Sequence, residues 1–409
     1  MPEVKDWTVD YDIFDKSYVK NPFPIWDEVR EKCPIASTDR WGGSFMPTRY
    51  EDLFNIARDI EHYSSRNVLV ADVMPAPDQE RPELSEDEQE LVAQYNVGAP
   101  PITSDPPVHT WARKLLLPPF SATSVEKYVE ETRELCNELI DGFIANGTAD
   151  GAADYAQQIP PRVIGSMLGF PKEMSGQFTE WVRGFLELGL TDPEMRESSA
   201  RSIFEFLYGQ IQQRKENPGD DLISYLLKSE VDGEPVPEPH VLGTCFLMLV
   251  AGIDTTWSSI GSAIWHLAQH PEDRKKLIEK PELIDNAIEE LLRAYSPVTM
   301  ARYVASDTEY AGCPIPEGSK VLMNFPAANR DPRVFENPDV VDLERAKNPH
   351  IAFGVGIHRC AGSNLARMEM KVSIQEWLKR IPDYSLADPE NVTWAGGQVR
   401  GPRKMPVVW

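Results

Sequence analysis

The chain has little cysteine for its length: five in 409 residues, at positions 33, 136, 245, 313 and 360, with no Cys-x-x-Cys pair among them. That spacing excludes a zinc ribbon and a dithiol redox centre. No internal repeat is present, and no Gly/Ser-rich linker divides the sequence. Long apolar runs are also missing. The longest, Val241 to Ile253, is broken by Gly243 and Thr244 and is shorter than the ~20 residues a membrane span needs; it reads as a buried core helix. The N-terminus has neither a charged-then-apolar leader nor an anchor, so a cytoplasmic protein without membrane attachment is expected. Lys/Arg-rich stretches are absent and the formal net charge is −24, which argues against nucleic acid as a partner. Part of that charge sits in Asp72 to Glu90, where eight carboxylates accompany the single cation Arg81, as in a solvated surface loop.

What is present is mainly helical. Apolar residues recur at helical spacing over Val125 to Phe143, Arg201 to Arg214, His240 to Gln269 and Glu282 to Tyr295. Strand signals are short: residues 43–48, 301–305 and 320–325, the last preceded by the turn-like stretch 316–319. A doubly wound dinucleotide fold needs alternating strands and helices with a Gly-rich first turn, and the isolated pair Gly354 and Gly356 does not provide one.

Three constellations carry chemistry. Phe353-Gly354-Val355-Gly356-Ile357-His358-Arg359-Cys360-Ala361-Gly362 is a glycine-hinged loop that can press against a flat ligand. After Cys360, Leu365, Met368 and Val372 fall at helical spacing, which puts the sulfur beside a helix N-terminus. The positive end of the helix there favours thiolate, the form that ligates metals, while a buried structural cysteine is the competing reading. In the long apolar helix, Ala251-Gly252-Ile253-Asp254-Thr255-Thr256 places an acid and two hydroxyls in oily surroundings. Gly252 leaves room for a ligand to lie against the helix. A mid-helix threonine can turn onto a preceding carbonyl and open a groove, or simply satisfy itself at a kink. Glu290 and Arg293 lie three apart on one helix face and by themselves make an ordinary surface pair.

Together these motifs resemble those of the cytochromes P450, specifically the bacterial heme-thiolate monooxygenases, from about residue 105 to the C-terminus, with further similar pieces at 21–24 and 159–171. The resemblance implies a mainly α fold with small β-sheets, a triangular helical architecture whose long central helix crosses the heme, over a single catalytic domain, 1–409. Residues 251–261 look like a branch that includes members fused to their own reductase; with the chain ending at Trp409, no fused reductase is expected. Without a Cys-x-x-Cys-His site, the heme b (iron protoporphyrin IX) would be bound non-covalently.

By position, the resemblance makes Cys360 the axial ligand of the heme iron, Asp254 the proton-delivery acid and Thr255 the distal alcohol. Ala251, Gly252, Phe353 and Gly362 would lie against the heme. His109, Arg113, Arg302 and His358 match positions that hold the propionates, two buried carboxylates that need partners, and His109 and Arg113 share one helical face. Glu290, Arg293 and Arg345 would lock together and hold the cysteine loop. The substrate pocket would draw on Leu247, Met248, Ala251, Val298 and Met300, with the loop from Val92 to Ile102, the turn from Phe185 to Leu190, and Gln398.

The implied reaction inserts one oxygen atom from O2 into a C–H bond of a small hydrophobic compound, aromatic or terpenoid, by hydroxylation or oxidative demethylation. Electrons would come from NAD(P)H through a ferredoxin reductase and a [2Fe-2S] ferredoxin, docking on cations near the cysteine loop: Arg359, Arg367, Lys371 and Lys114. A peroxide-driven or non-oxidative heme-thiolate enzyme and a heme-based gas sensor are the alternatives; the acid and alcohol argue against the first, and the lack of an output module against the second.

Overall fold

The protein is described by a computed structural model covering residues 2–71 and 98–409. The acidic segment 72–90 and the first part of the pocket loop, 92–97, lie outside the described residues. Eight helices frame the region around the site: α1 (Val108–Leu116), α2 (Val129–Phe143), α3 (Ile159–Met167), α4 (Ser175–Leu186), α5 (Pro193–Glu216), α6 (Glu238–Gln269), α7 (Ile284–Ala294) and α8 (Ser363–Arg380).

Helix α6 is the axis of the molecule. It starts behind Pro237, with a second proline in its first turn where the missing N–H is harmless, and it stops at His270, one residue before Pro271. Its 32 residues are long and apolar enough to cross a membrane, yet 83% of the most apolar stretch is buried inside the protein. The expected core helix is therefore observed, longer than the apolar run alone suggested. Helices α3, α4, α5 and α8 all pack against it. The buried faces of α8 include Leu365, Met368 and Val372, as their spacing predicts.

Apart from two small hairpins, the strands among the described residues are β1 (Ile35–Thr38), β2 (Ser44–Pro47), β3 (Tyr63–Ser64), β4 (Thr148–Asp150), β5 (Met300–Val304), β6 (Lys320–Met323), β7 (Ser385–Leu386), β8 (Thr393–Ala395), β9 (Gly401–Lys404) and β10 (Pro406–Val408). The largest sheet has the order β1-β2-β6-β5-β3. Its antiparallel β5–β6 register sets Arg302 opposite Val321, with Arg302 buried. The sheet β7-β10-β4 and the pair β8-β9 gather the C-terminal strands. Strand β9 presses on α6: a Cβ on Gly401 would lie 2.3 Å from the Cβ of Ser258, and one on Gly261 would lie 2.8 Å from Pro402. Only glycines permit that approach.

Candidate active site

Between α6 and the loop that precedes α8 lies a cavity of about 1340 Å3, its mouth included, lined by Arg113, Ala251, Gly252, Thr255, Arg302, Phe353, His358, Cys360 and Gly362, among others. Residues from Arg113 to Gly362 in the sequence thus converge on one space. The loop is closed by a hydrogen bond from the Cys360 N–H to the Phe353 carbonyl, 2.8 Å. Gly354 and Gly356 hold φ values of 68° and 74°, in the left-handed region where a side chain is strained. At Gly356 the close approach is to protein as well: a Cβ there would sit 2.8 Å from the Ala57 carbonyl oxygen. Cys360 lines the cavity and is exposed. Burial raises its thiol pKa, outweighing a backbone hydrogen bond at Gly362 and the charges of Arg113, Arg359 and Arg367. A bound metal would favour the thiolate against that burial.

One wall of the cavity is electropositive. Arg302 is buried and its pKa falls to about 10 through desolvation. His358 is driven to about 2 by burial and by Arg302, His109 and Arg113. His109 packs its ring 4.3 Å from that of His358, and its Nε2 is buried without a hydrogen-bond partner. Asp105 is the carboxylate that acts on both Arg302 and His109. Its oxygens, however, already accept from the Ser64 hydroxyl at 2.5 Å and the Ser65 N–H at 2.9 Å. Ser65 in turn holds His358 Nε2 at 2.9 Å. Two arginines and an orphaned imidazole nitrogen therefore await anions. Two carboxylates at the edge of a flat macrocycle, whose metal Cys360 would hold, would fit that wall.

Across the cavity, Thr255 donates its hydroxyl to the Ala251 carbonyl at 2.8 Å, the back-bonded arrangement that loosens a helix. Asp254 does not line the cavity. It is fully buried on the adjacent face of α6, where Oδ1 accepts from Arg403 Nη2 at 2.8 Å and Oδ2 has no partner. Desolvation raises its pKa against the attraction of Arg403. The space beside Gly252 is taken by protein: a Cβ would meet Ile164 Cδ1 at 2.6 Å, so this glycine seats α3 rather than a ligand alone.

The pair Glu290 and Arg293 is no surface pair. Both side chains are fully buried, joined by two hydrogen bonds of 2.8 Å. Arg345 Nε reaches Glu290 Oε2 at 2.9 Å, and Arg293 also donates to the carbonyls of Asn329, Pro338 and Val340. The triad thus ties α7 to the segment that leads into the cysteine loop.

Leu247, Met248, Ala251, Val298 and Met300 line the cavity together with Pro101 and Ile102 of the expected loop. Two other expectations fail. Gln398 turns to backbone, with Nε2 at the Val68 carbonyl and Oε1 at the Val70 N–H, each 3.3 Å away. Residues 185–190 do not reach the cavity: Phe185 packs on Phe246 and Leu190 enters a separate core. Sequence reasoning missed Phe120, Ile164, Thr256, Leu292 and Phe325, which line it; apolar side chains and a threonine on an apolar helix look like ordinary core. The docking cations divide. Arg367 makes a two-point pair with Glu289 at 2.5 and 2.8 Å, and Lys371 pairs with Asp285 at 2.8 Å. Arg359 and Lys114 are exposed.

The cytochrome P450 family model matches residues 191–382. The polyketide biosynthesis cytochrome P450 PksS of Bacillus subtilis is 32% identical over 96% of both chains. Its solved structure superposes with a TM-score of 0.86, covering 97% of this chain and 99% of that one. Mycinamicin IV hydroxylase/epoxidase of Micromonospora griseorubida is 33% identical over 94% of each chain. A third neighbour, P450BioI solved in complex with hexadec-9Z-enoic acid ligated acyl carrier protein, has a TM-score of 0.83 at 30% identity, covering 96% of this chain and 99% of that one. With the cysteine loop, the cationic wall and the helix that faces them all in place, the chain belongs to the cytochrome P450 family of heme-thiolate monooxygenases.

Proposed function

We propose that this enzyme inserts one oxygen atom from O2 into a C–H bond of a small hydrophobic compound, by hydroxylation or oxidative demethylation. The observation that carries the reading is the presence of Cys360 and Thr255 on one cavity with otherwise mostly apolar walls. Heme, when bound, supplies dioxygen activation, which a thiolate ligand promotes. Cys360 would hold its iron, and Arg113, Arg302, His109 and His358 would hold its propionates. Leu247, Met248, Val298 and Met300 orient the substrate and exclude water. Thr255 places a hydroxyl in the cavity, and Asp254, one residue earlier, carries the proton that the relay passes on. A relative is named as a hydroxylase/epoxidase of mycinamicin IV, which supports oxygen transfer to an organic molecule.

Electrons come from NAD(P)H through a ferredoxin reductase and a [2Fe-2S] ferredoxin in the cytoplasm. With a net charge of −24, an acidic donor needs a local basic patch. Arg359 and Lys114 supply it; Arg367 and Lys371 have their charge satisfied within the chain. Incubation of the heme-loaded enzyme with a surrogate ferredoxin system, isotopically labelled O2 and a panel of small aromatics and terpenoids tests the reading. One labelled oxygen atom is expected in each hydroxylated product, and in a demethylation the label leaves with the released aldehyde. Hydroxylated product formed without label, or turnover only with added peroxide, would overturn it.

A further inference from the structure

We propose that Arg403 is a positioning residue for oxygen activation: by dividing its guanidinium between Asp254 and Glu187, it sets which oxygen of Asp254 carries the proton and the pH at which it does so. This rests on the reading of Asp254 as the proton donor.

The geometry is closed on every side but one. Arg403 Nη2 donates to Asp254 Oδ1 at 2.8 Å, Nη1 to the Ser258 hydroxyl at 3.0 Å, and Nε to Glu187 Oε2 at 2.8 Å. The guanidinium lies over the Trp257 ring, 4.6 Å from its centroid. Its side chain is 10% exposed, and that of Asp254 1%. Strand β9 is pinned to α6 where Gly401 meets Ser258 and Pro402 meets Gly261, so the guanidinium arrives from a fixed base. Ser258 adds a second donor to Oδ1 at 3.2 Å. Oδ1 is thus saturated while Oδ2 is buried with no partner. A carboxylate left half-satisfied in an apolar interior is costly, and a proton on Oδ2 lowers the cost of the buried charge while Oδ1 keeps its donors.

Glu187 competes for the same cation. It lies in the turn after α4 and is also held by Arg183, at 3.2 Å from two nitrogens. The charged groups acting on Asp254 are therefore Arg403 from β9, which favours the ionised form, and Glu187, which opposes it. Arg183 of α4 stands behind Glu187 and feels Asp254 in turn. Two cations and two carboxylates form one chain from α4 through β9 to α6 with Asp254 at its end, and removal of Arg403 or of Glu187 should move the Asp254 titration in opposite directions.

The test follows the Asp254 carboxyl by difference infrared titration of the purified enzyme, with Asp254→Asn as the assigning blank. Hydrogen peroxide released per electron is measured across pH beside it. Arg403→Met should move the carboxyl titration, and the pH at which peroxide release rises, upward by about 1–3 units. Glu187→Gln, nearly isosteric, should move both downward. Arg403→Lys should fall between parent and Arg403→Met, because one ammonium cannot serve three acceptors. The reduced carbon monoxide spectrum confirms that each variant has folded around heme. No movement in Arg403→Met and Glu187→Gln, or movement of both in one direction, would overturn the proposal. An Asp254→Asn enzyme with the parent's peroxide fraction would overturn the donor reading beneath it, recognisably, since the infrared shifts of the other variants would persist.

Discussion

Arg293 holds Glu290 by two parallel hydrogen bonds of 2.8 Å with both side chains at zero exposure, and Glu290 spends its remaining capacity on Arg345, Asn348 and the Asp342 N–H. Such a pair is defined by what happens when one member is removed. Glu290→Ala leaves two guanidinium groups facing the vacancy, one of them fully buried, a loss of about 3–5 kcal/mol. Chemical denaturation of the apo protein should show that drop, and heme incorporation should fail at the growth temperature. A parent-like midpoint with full heme content would remove the triad from its role.

Cys360→Ala deletes the sulfur but not the backbone hydrogen bond that closes the loop, because that bond runs from the Cys360 N–H to the Phe353 carbonyl. The apo variant should therefore melt close to the parent while its reduced carbon monoxide complex loses the red-shifted band of thiolate ligation. Retention of that band would sink the ligand assignment.

Thr255→Ala removes the hydroxyl bonded to the Ala251 carbonyl. Positioned proton-transfer groups contribute roughly 10²–10⁴-fold, so most oxygen should leave as peroxide while heme binding and reductant consumption continue. Unchanged product per electron would make Thr255 structural only.

Gly252→Ala adds a methyl 2.6 Å from Ile164 Cδ1. Overpacking costs about 1–3 kcal/mol, but alanine returns about 1 kcal/mol of helix propensity, so stability should change little. Ile164 lines the cavity and must yield into it. The variant should bind bulky ligands more weakly by optical titration, and the added change Ile164→Ala should restore them. Parent-like binding in Gly252→Ala would show that Ile164 relaxes elsewhere.

The His240 ring packs at a tilt against that of Trp111, 4.2 Å between centroids, and burial pushes its pKa down to about 4, from 6.5. Between those values the unfolded chain binds a proton that the folded chain refuses, so stability falls as pH drops from 6.5 toward 4. His266, also lowered by burial, acts in the same sense. His240→Gln should flatten the dependence of the denaturation midpoint in that window; an unaltered slope would show that other groups dominate it.

The sequence by itself determined what is local. A 3.6-residue apolar period specifies α6, α7 and the helix after Cys360 wherever they end up, since each turn reports only on its own neighbours. Glycines at 354 and 356 announced a loop that needs positive φ, and the observed values of 68° and 74° meet that need. Glu290 and Arg293 were likewise legible as neighbours on one helix face, though not as a fully buried pair. What tertiary structure alone decided is how groups distant in the chain meet. Arg403 reaches Asp254 across 149 positions and Glu187 across 216. Arg367 is claimed by Glu289 from 78 positions away, which turned an expected docking cation into an internal tie. Gly252 faces Ile164 because α3 crosses α6 at that point. Charge pairing and close approach depend on where elements cross, and no periodicity within an element encodes the crossing.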